Sequence, residues 1–350
     1  MKVIKILFIN FAILFFILIF LELILGNYFK EKKINCIYAM CGFKNTFYHN
    51  LYTKEKIYTN YTKGKFGLRN REKSPSEIDI LVVGGSTSDS RYIDDKLTWP
   101  NLLEKKLSKE LKKNIDVVNS GMDGQTTYGH IYNFENWYNY INEFKPKFII
   151  FYIGINDSYL RGTKPSSFDK PSKVPLFTKK YIVNNSNFIY PLYRIGKGVL
   201  IQKKFDVGHM KNQVFKEKNY ILEKKDTISK DDEYNILKFE ENLSILAKAT
   251  LDLGSKPIFI TQKTNNWKRK KNYIIATDKS AAISGNYQQK ISNSIIQFSK
   301  KNNYHFIDSL DFNFEYSHYY DYNHFNTEGS EFFSEMIYKI ILKIINENNQ

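Results

Sequence analysis

The chain has 350 residues, of which 42% are hydrophobic and 16% aromatic, so it can bury a core and is not intrinsically disordered. Eight prolines and 17 glycines exclude a collagen-like or linker-dominated chain. The formal net charge of +16 is typical of proteins that bind nucleic acid or an acidic surface. However, only six of the 52 basic residues are arginine, and the sequence has no zinc-finger spacing or RNA-binding aromatic motif. We therefore predict no nucleic-acid partner and interpret the lysines as solvated surface residues.

The N-terminal segment is a candidate membrane span. Lys2 and Lys5 precede an apolar run over residues 6–25, which is long enough to cross a bilayer core of about 30 Å as a helix. A cleaved signal peptide is the alternative, but the run is longer than a usual signal core and Leu25-Gly26-Asn27 is a poor cleavage site. We predict that residues 1–26 form an uncleaved signal anchor. The hypothesis places the chain in a bacterial cytoplasmic membrane with the large domain outside the cytoplasm.

Residues 27–75 are rich in Tyr, Lys and Thr with little periodicity, and we predict a connector there. It contains Cys36 and Cys41, the two cysteines of the chain. In an oxidising compartment they would form a small disulfide loop, and two unpaired thiols are the alternative. Two ligands are too few for a structural zinc site, so we expect no metal there.

From about Ser76 the pattern alternates between strand and helix. Short apolar runs predict five strands, at Ile78–Val83, Ile115–Asn119, Phe148–Ile153, Pro257–Thr261 and His305–Asp308. Helical spacing appears between them, which implies right-handed crossovers and a parallel sheet covered on both faces. We predict a three-layer α/β/α sandwich with a five-stranded, mainly parallel sheet over residues 76–350. Residues 160–232 interrupt the pattern, and their aromatic content favours an ordered cap.

Polar residues follow the predicted strands where each one ends. In an open parallel sheet, ligands bind beyond the carboxyl ends of the strands. Gly84-Gly85-Ser86-Thr87-Ser88 follows the first strand, residues 119–126 include the end of the second, Gly154-Ile155-Asn156-Asp157 follows the third, and residues 321–329 lie beyond the fifth. The sequence therefore predicts a site at this edge of the sheet.

Taken in order, these four blocks resemble the SGNH hydrolases, also called the GDSL esterase/lipase family. The resemblance covers residues 78–159 and 236–340, and it implies a flavodoxin-like sandwich. Its four namesake residues fall on Ser86, Gly124, Asn156 and His324, and Asp321 completes a catalytic triad.

The resemblance implies a role for each residue. Ser86 is the nucleophile, His324 takes its proton, and Asp321 holds the imidazole tautomer. The oxyanion hole is formed by the backbone N–H groups of Ser86 and Gly124 and the side-chain amide of Asn156. The sequence departs from the best-known family signature at Gly85, where that signature has Asp.

The resulting hypothesis is a serine esterase that removes acyl groups, with O-acetyl as the expected group, from a cell-surface glycan through an acyl-enzyme. One alternative is an O-acyltransferase that uses the same triad. Another is a non-catalytic, membrane-anchored protein that binds or assembles glycan. We expect neither a metal nor a cofactor, and the sequence does not indicate an oligomeric state.

Overall fold

The computed structural model describes residues 2–26, 28, 34–70, 75–162, 185–186, 188–189, 192, 195, 220–223, 228–270 and 273–348. The predicted insertion at 160–232, with its expected ordered cap, lies for the most part outside these residues. The chain divides into two units, residues 1–33 with 164–209 and residues 34–163 with 210–350. In the first unit, helix α1 (Lys2–Leu25) is long and apolar enough to span a membrane, as an anchor or a signal sequence would be.

The second unit begins with a short helix and a β-hairpin. Cys36, the first residue of helix α2 (Cys36–Ala39), forms a disulfide with Cys41, so the two cysteines are paired. Strands β1 (Lys44–His49) and β2 (Ile57–Thr62) pair antiparallel. The segment that the sequence analysis took as an aperiodic connector therefore carries regular structure. In β2, Thr59 and Tyr61 are buried while their neighbours Tyr58 and Asn60 are exposed, which is the alternation of a half-buried strand.

The described residues form eight further strands, in chain order β3 (Ile80–Gly84), β4 (Val117–Asn119), β5 (Phe148–Tyr152), β6 (Tyr220–Glu223), β7 (Lys256–Ile260), β8 (Trp267–Lys270), β9 (Tyr273–Ala276) and β10 (His305–Ile307). The central sheet has the order β10-β7-β5-β3-β4, and every pair in it is parallel. This confirms the predicted five-stranded parallel sheet. Strands β6, β9 and β8 form a small antiparallel sheet that the sequence analysis did not predict.

Helices cover both faces of the central sheet. They are α3 (Ser86–Asp89), α4 (Trp99–Leu111), α5 (Thr127–Asn136), α6 (Ile155–Ser158), α7 (Lys230–Asp252), α8 (Lys279–Lys301) and α9 (Thr327–Glu347). On one face, Ile80 and Val82 of β3 share a buried core with Leu103 of α4 and Ile337 of α9. On the other face, α5 and α8 contact α7, and Phe151 of β5 lies between the sheet and α5. The three-layer α/β/α architecture is confirmed.

The strand order fixes where a ligand would bind. Strand β3 lies between β4 and β5, so the chain leaves β3 on one side and returns on the other. Such a reversal opens a crevice outside the carboxyl ends of the strands that flank it. The loops that begin at Gly85, after β3, and at Ile153, after β5, meet at this edge.

Candidate active site

Ser86 lies on a sharp turn between β3 and α3. Gly85 occupies the cap position, and α3 begins at Ser86 itself. Thr87, Ser88 and Asp89 are buried, whereas Ser86 is half-buried. The buried turn therefore holds the Ser86 hydroxyl at the carboxyl edge of the sheet, where solvent can reach it. Ser86 Oγ lies 2.8 Å from His324 Nε2.

The histidine comes from the loop that precedes the last helix. His324 Nδ1 lies 2.7 Å from Asp321 Oδ2, while Asp321 Oδ1 accepts the backbone N–H groups of Asn323 at 3.0 Å and His324 at 2.8 Å. Asn326 caps α9 by accepting the N–H of Gly329 at 2.9 Å, which fixes the end of the loop. The structure thus brings Ser86, His324 and Asp321 into one hydrogen-bonded chain.

The three predicted oxyanion donors lie on neighbouring loops. The Asn156 side-chain amide donates to the carbonyl of Gln125 at 2.8 Å, which ties the loop after β5 to the residue that follows Gly124. Gly124 is exposed and has φ +69°, a conformation that glycine adopts without strain. An amide NH2 carries two hydrogens, so Asn156 can meet Gln125 with one and a substrate oxygen with the other.

The structure gives a reason for glycine at position 85. A Cβ built there would lie 2.5 Å from Asn156 Nδ2, closer than non-bonded atoms approach. Gly85 has φ −85°, which any residue can adopt, so the constraint is space and not backbone strain. In this chain the Asn156 amide fills the position in which a larger residue would place its side chain.

Asp157, the residue after Asn156, connects α6 to the start of α5. Its buried carboxylate accepts the N–H of Thr127 at 3.0 Å and the Thr127 hydroxyl at 2.7 Å. Burial raises the pKa of Asp157 to about 6, against the hydrogen bonds from Thr127, which lower it. The start of α5 is therefore tied to α6, the helix that contains Asn156.

Sequence reasoning missed two residues that follow β7. Gln262 donates to Thr87 Oγ1 at 2.8 Å and accepts the N–H of Ile155 at 2.9 Å, so it joins the turn after β3 to the turn after β5. Asn265 donates from its side chain to the carbonyl of Asp321 at 3.0 Å. Both are buried. The signal was a polar run, residues 261–265, directly after a buried strand.

Comparison with known proteins follows from this geometry. Residues 80–187 match the family model described as GDSL-like Lipase/Acylhydrolase. That range includes Ser86, Gly124 and Asn156, while Asp321 and His324 lie C-terminal to it. No sequence among the curated proteins matches the chain.

Solved structures of esterases are similar at low identity. A psychrotrophic esterase from Pseudoalteromonas is 14% identical, with 76% of this chain and 98% of that chain covered and a TM-score of 0.41. A lipolytic G-D-S-L family member from Veillonella parvula is 12% identical over 75% of this chain and 97% of its own, with a TM-score of 0.44. A variant of an acetyl-xylooligosaccharide esterase from Geobacillus is 14% identical over 76% and 94%, with a TM-score of 0.42.

The family model covers the first three motif blocks of the chain, and the parallel α/β/α sandwich is the fold that the family implies. Over residues 80–187, which include Ser86, Gly124 and Asn156, the chain is similar to the GDSL-like lipase/acylhydrolase family.

Proposed function

We propose that the chain is a membrane-anchored serine esterase that removes acyl groups, O-acetyl foremost, from a glycan of the cell surface. The observation that carries the proposal is the hydrogen-bonded chain from Ser86 Oγ through His324 to Asp321, at distances of 2.8 and 2.7 Å. Ser86 is the accessible end of that chain, and the Asn156 amide lies beside it over Gly85.

The first half of the reaction acylates the enzyme. Ser86 Oγ attacks the ester carbonyl carbon while His324 Nε2 takes the hydroxyl proton. The tetrahedral oxyanion is met by the N–H groups of Ser86 and Gly124 and by Asn156 Nδ2. The intermediate collapses, the alcohol leaves with the proton from His324, and the acyl group stays on Ser86 as an ester.

The second half returns the enzyme to its starting state. Water attacks the acyl carbon and gives its proton to His324, and the same three donors meet the second oxyanion. Collapse breaks the bond to Ser86 Oγ, which recovers the proton from His324, and the carboxylic acid departs. Asp321 remains a carboxylate throughout and stabilises the imidazolium of each half-reaction.

The location of the domain supports a substrate of the cell envelope. Helix α1 is a candidate anchor, and the disulfide between Cys36 and Cys41 fits an oxidising compartment outside the cytoplasm. An anchored domain in that compartment reaches acylated polymers of the envelope and has no access to cytoplasmic metabolites. This part of the proposal concerns the substrate and does not alter the chemistry at Ser86.

Two experiments test the proposal at separate levels. The full chain should hydrolyse a short-chain aryl acetate and react with a fluorophosphonate probe, Ser86→Ala should do neither, and Ser280→Ala, at an exposed serine of α8, should match wild type. A wild-type protein without turnover or labelling contradicts the esterase. In cells, Ser86→Ala should raise the acetyl content of surface glycan measured by mass spectrometry. Unchanged acetylation in an active enzyme contradicts only the glycan substrate.

A further inference from the structure

A cluster of buried charges lies beneath the turn that carries Ser86. Lys63 and Arg69 come from the segment just after β2, Asp89 ends α3, and Asp95 begins the short 3-10 helix Asp95–Leu97. The four residues are only 1%, 2%, 1% and 5% exposed, respectively. Lysine is almost never buried unless it is paired, and none of the four takes part in the acyl chemistry described above. Their position needs another explanation.

Lys63 joins two loops of the site. Its ammonium donates to the carbonyl of Gly121 at 2.9 Å and lies 3.4 Å from Asp89 Oδ1, which also accepts the Tyr61 hydroxyl at 2.8 Å. Asp89 is the last residue of the helix that Ser86 begins. Gly121 lies three residues before Gly124. One side chain therefore holds the ends of the nucleophile turn and of the Gly124 loop at a fixed spacing.

Arg69 holds the chain just beyond that turn. Its guanidinium donates to the carbonyls of Ser90 at 2.7 Å and Ile93 at 2.6 Å and to Asp95 Oδ1 at 3.0 Å. Ser90 has φ +48°, a left-handed conformation that a serine adopts only when its surroundings impose it. The N–H of Arg69 also donates to the carbonyl of Asn119, at the edge of the central sheet.

Energetics indicate that the cluster acts through geometry. A buried ion pair adds little net stability, because desolvation offsets the attraction between the charges. What it does supply is a defined arrangement, since each charge must keep its partner. Asp89 Oδ2 is buried and accepts no hydrogen bond from the residues that the structure describes, so Lys63 and Tyr61 provide the contacts that hold this carboxylate.

We propose that Lys63 is a positioning residue of the active site, which sets the spacing between the Ser86 turn and the Gly124 loop. The β1–β2 hairpin and the residues just after it then help to position the active site and do more than connect the domain to the membrane helix. This inference rests on the proposed function, because it concerns how a nucleophile and an oxyanion donor are held relative to each other.

The test removes the charge pair without leaving one charge buried alone. Lys63→Met leaves Asp89 unpaired and can unfold the protein, so the deciding variant is Lys63→Met with Asp89→Asn, which keeps similar shapes and an acceptor for Tyr61. Arg269→Met with Asp308→Asn is the matched control, since that pair at 2.9 Å joins β8 to the residue after β10 and involves neither loop.

The measurements are kcat and KM for an aryl acetate, and hydrogen exchange of peptides that cover residues 85–90 and 121–124. Displacing a reacting group by about 1 Å can cost a hundredfold in rate. We expect the double variant to melt near the wild-type temperature, to lose about ten- to a hundredfold in kcat with KM within about twofold, and to exchange faster in both loops but not in α9. The control should change none of these.

The outcomes separate the two proposals. A folded double variant with wild-type kcat and unchanged exchange overturns the positioning role, whatever the substrate. If wild type itself neither turns over ester nor labels at Ser86, the proposed esterase fails. The exchange data then still decide whether Lys63 couples the two loops, because they do not depend on turnover.

Discussion

Both ring nitrogens of His324 are hydrogen-bonded, Nδ1 to Asp321 and Nε2 to Ser86. Asp321 determines which of the two nitrogens carries the hydrogen. Asp321 Oδ1 is already occupied by the N–H groups of Asn323 and His324, at 3.0 and 2.8 Å, which leaves Oδ2 for the ring. A carboxylate at that position requires a hydrogen on Nδ1 and so keeps Nε2 free to take the Ser86 proton.

The first prediction follows from the hydrogen bonds that the two Asp321 oxygens accept. In Asp321→Asn the amide oxygen will stay on the two backbone N–H groups, so the NH2 group will face Nδ1 and force the proton onto Nε2. We expect kcat to fall by about 10⁴, the loss that an Asp-to-Asn change causes in the Ser-His-Asp triad of a serine protease by imposing the wrong tautomer, with a melting temperature close to wild type. Steady-state kinetics and thermal unfolding check this. A kcat within tenfold of wild type would contradict the proposed role of Asp321.

The second prediction concerns the space at Gly85. A Cβ there would meet Asn156 Nδ2 at 2.5 Å, so Gly85→Ala should push the amide out of place. We expect kcat to fall by about 10² to 10³, the usual effect of losing one oxyanion donor. The control is a double-mutant cycle with Asn156→Ala. If both changes act on the same amide, the double variant should be no slower than Asn156→Ala alone, whereas additive losses would show that Gly85 acts by another route.

At the scale of elements, the site depends on ties between short helices. Asp157 of α6 accepts two hydrogen bonds from Thr127 at the start of α5, and Gln262 after β7 joins the turns that begin α3 and α6. Helices α3 and α6 have only four residues each, too few to be stable alone. Their position is therefore set by side chains from other strands.

The third prediction is a pH dependence of stability from Asp157. Burial raises its pKa to about 6 from an ordinary value of 3.8. Between those values the folded protein binds a proton that the unfolded chain does not, so lowering the pH favours folding at this residue. Relative to Asp157→Asn, which cannot ionise, wild type should gain on the order of 2 kcal/mol of unfolding free energy from pH 7 to pH 4. Urea unfolding of both proteins at several pH values measures the difference. A constant difference, or a loss on acidification, would contradict the raised pKa.

Elements that bury one continuous apolar run were predictable from the sequence. The strands around Val82, Ile150 and Ile258 have side chains buried on both faces, so composition alone marks them. The meeting of the candidate site residues was also predictable, because the carboxyl ends of parallel strands lie at one edge of a sheet. The expected triad members meet there, although 238 positions separate Ser86 from His324.

Elements whose burial depends on distant partners were not predictable. The hairpin strand β2 reads as polar, and Lys63 beside it has the character of a surface residue until Asp89 and Gly121 are brought against it. Likewise, Gln262 and Asn265 follow a predicted strand, but their partners come from three other loops. Pairing between charges that are far apart in sequence leaves no local pattern to detect.

For the whole molecule, the two cysteines offer a direct measure of orientation. Cys36 and Cys41 form a disulfide shortly after α1, and the chain has no other cysteine. A thiol reagent therefore reports on one site without any substitution. Disulfides persist outside the cytoplasm and are rare within it, so the proposed orientation places this site on the outer side.

The fourth prediction is the outcome of labelling in intact spheroplasts with a membrane-impermeant maleimide. The full chain should gain no label as isolated, two labels per chain after an impermeant phosphine reductant, and one label without reduction in Cys36→Ser, where Cys41 is left free. It should also stay in the membrane after an alkaline wash, with a mass that includes residues 1–26. Label that appears only after lysis would reverse the orientation. A washed-off chain that lacks residues 1–26 would make α1 a cleaved signal and leave the esterase chemistry at Ser86 untouched, because none of the residues assigned to that chemistry lies in α1.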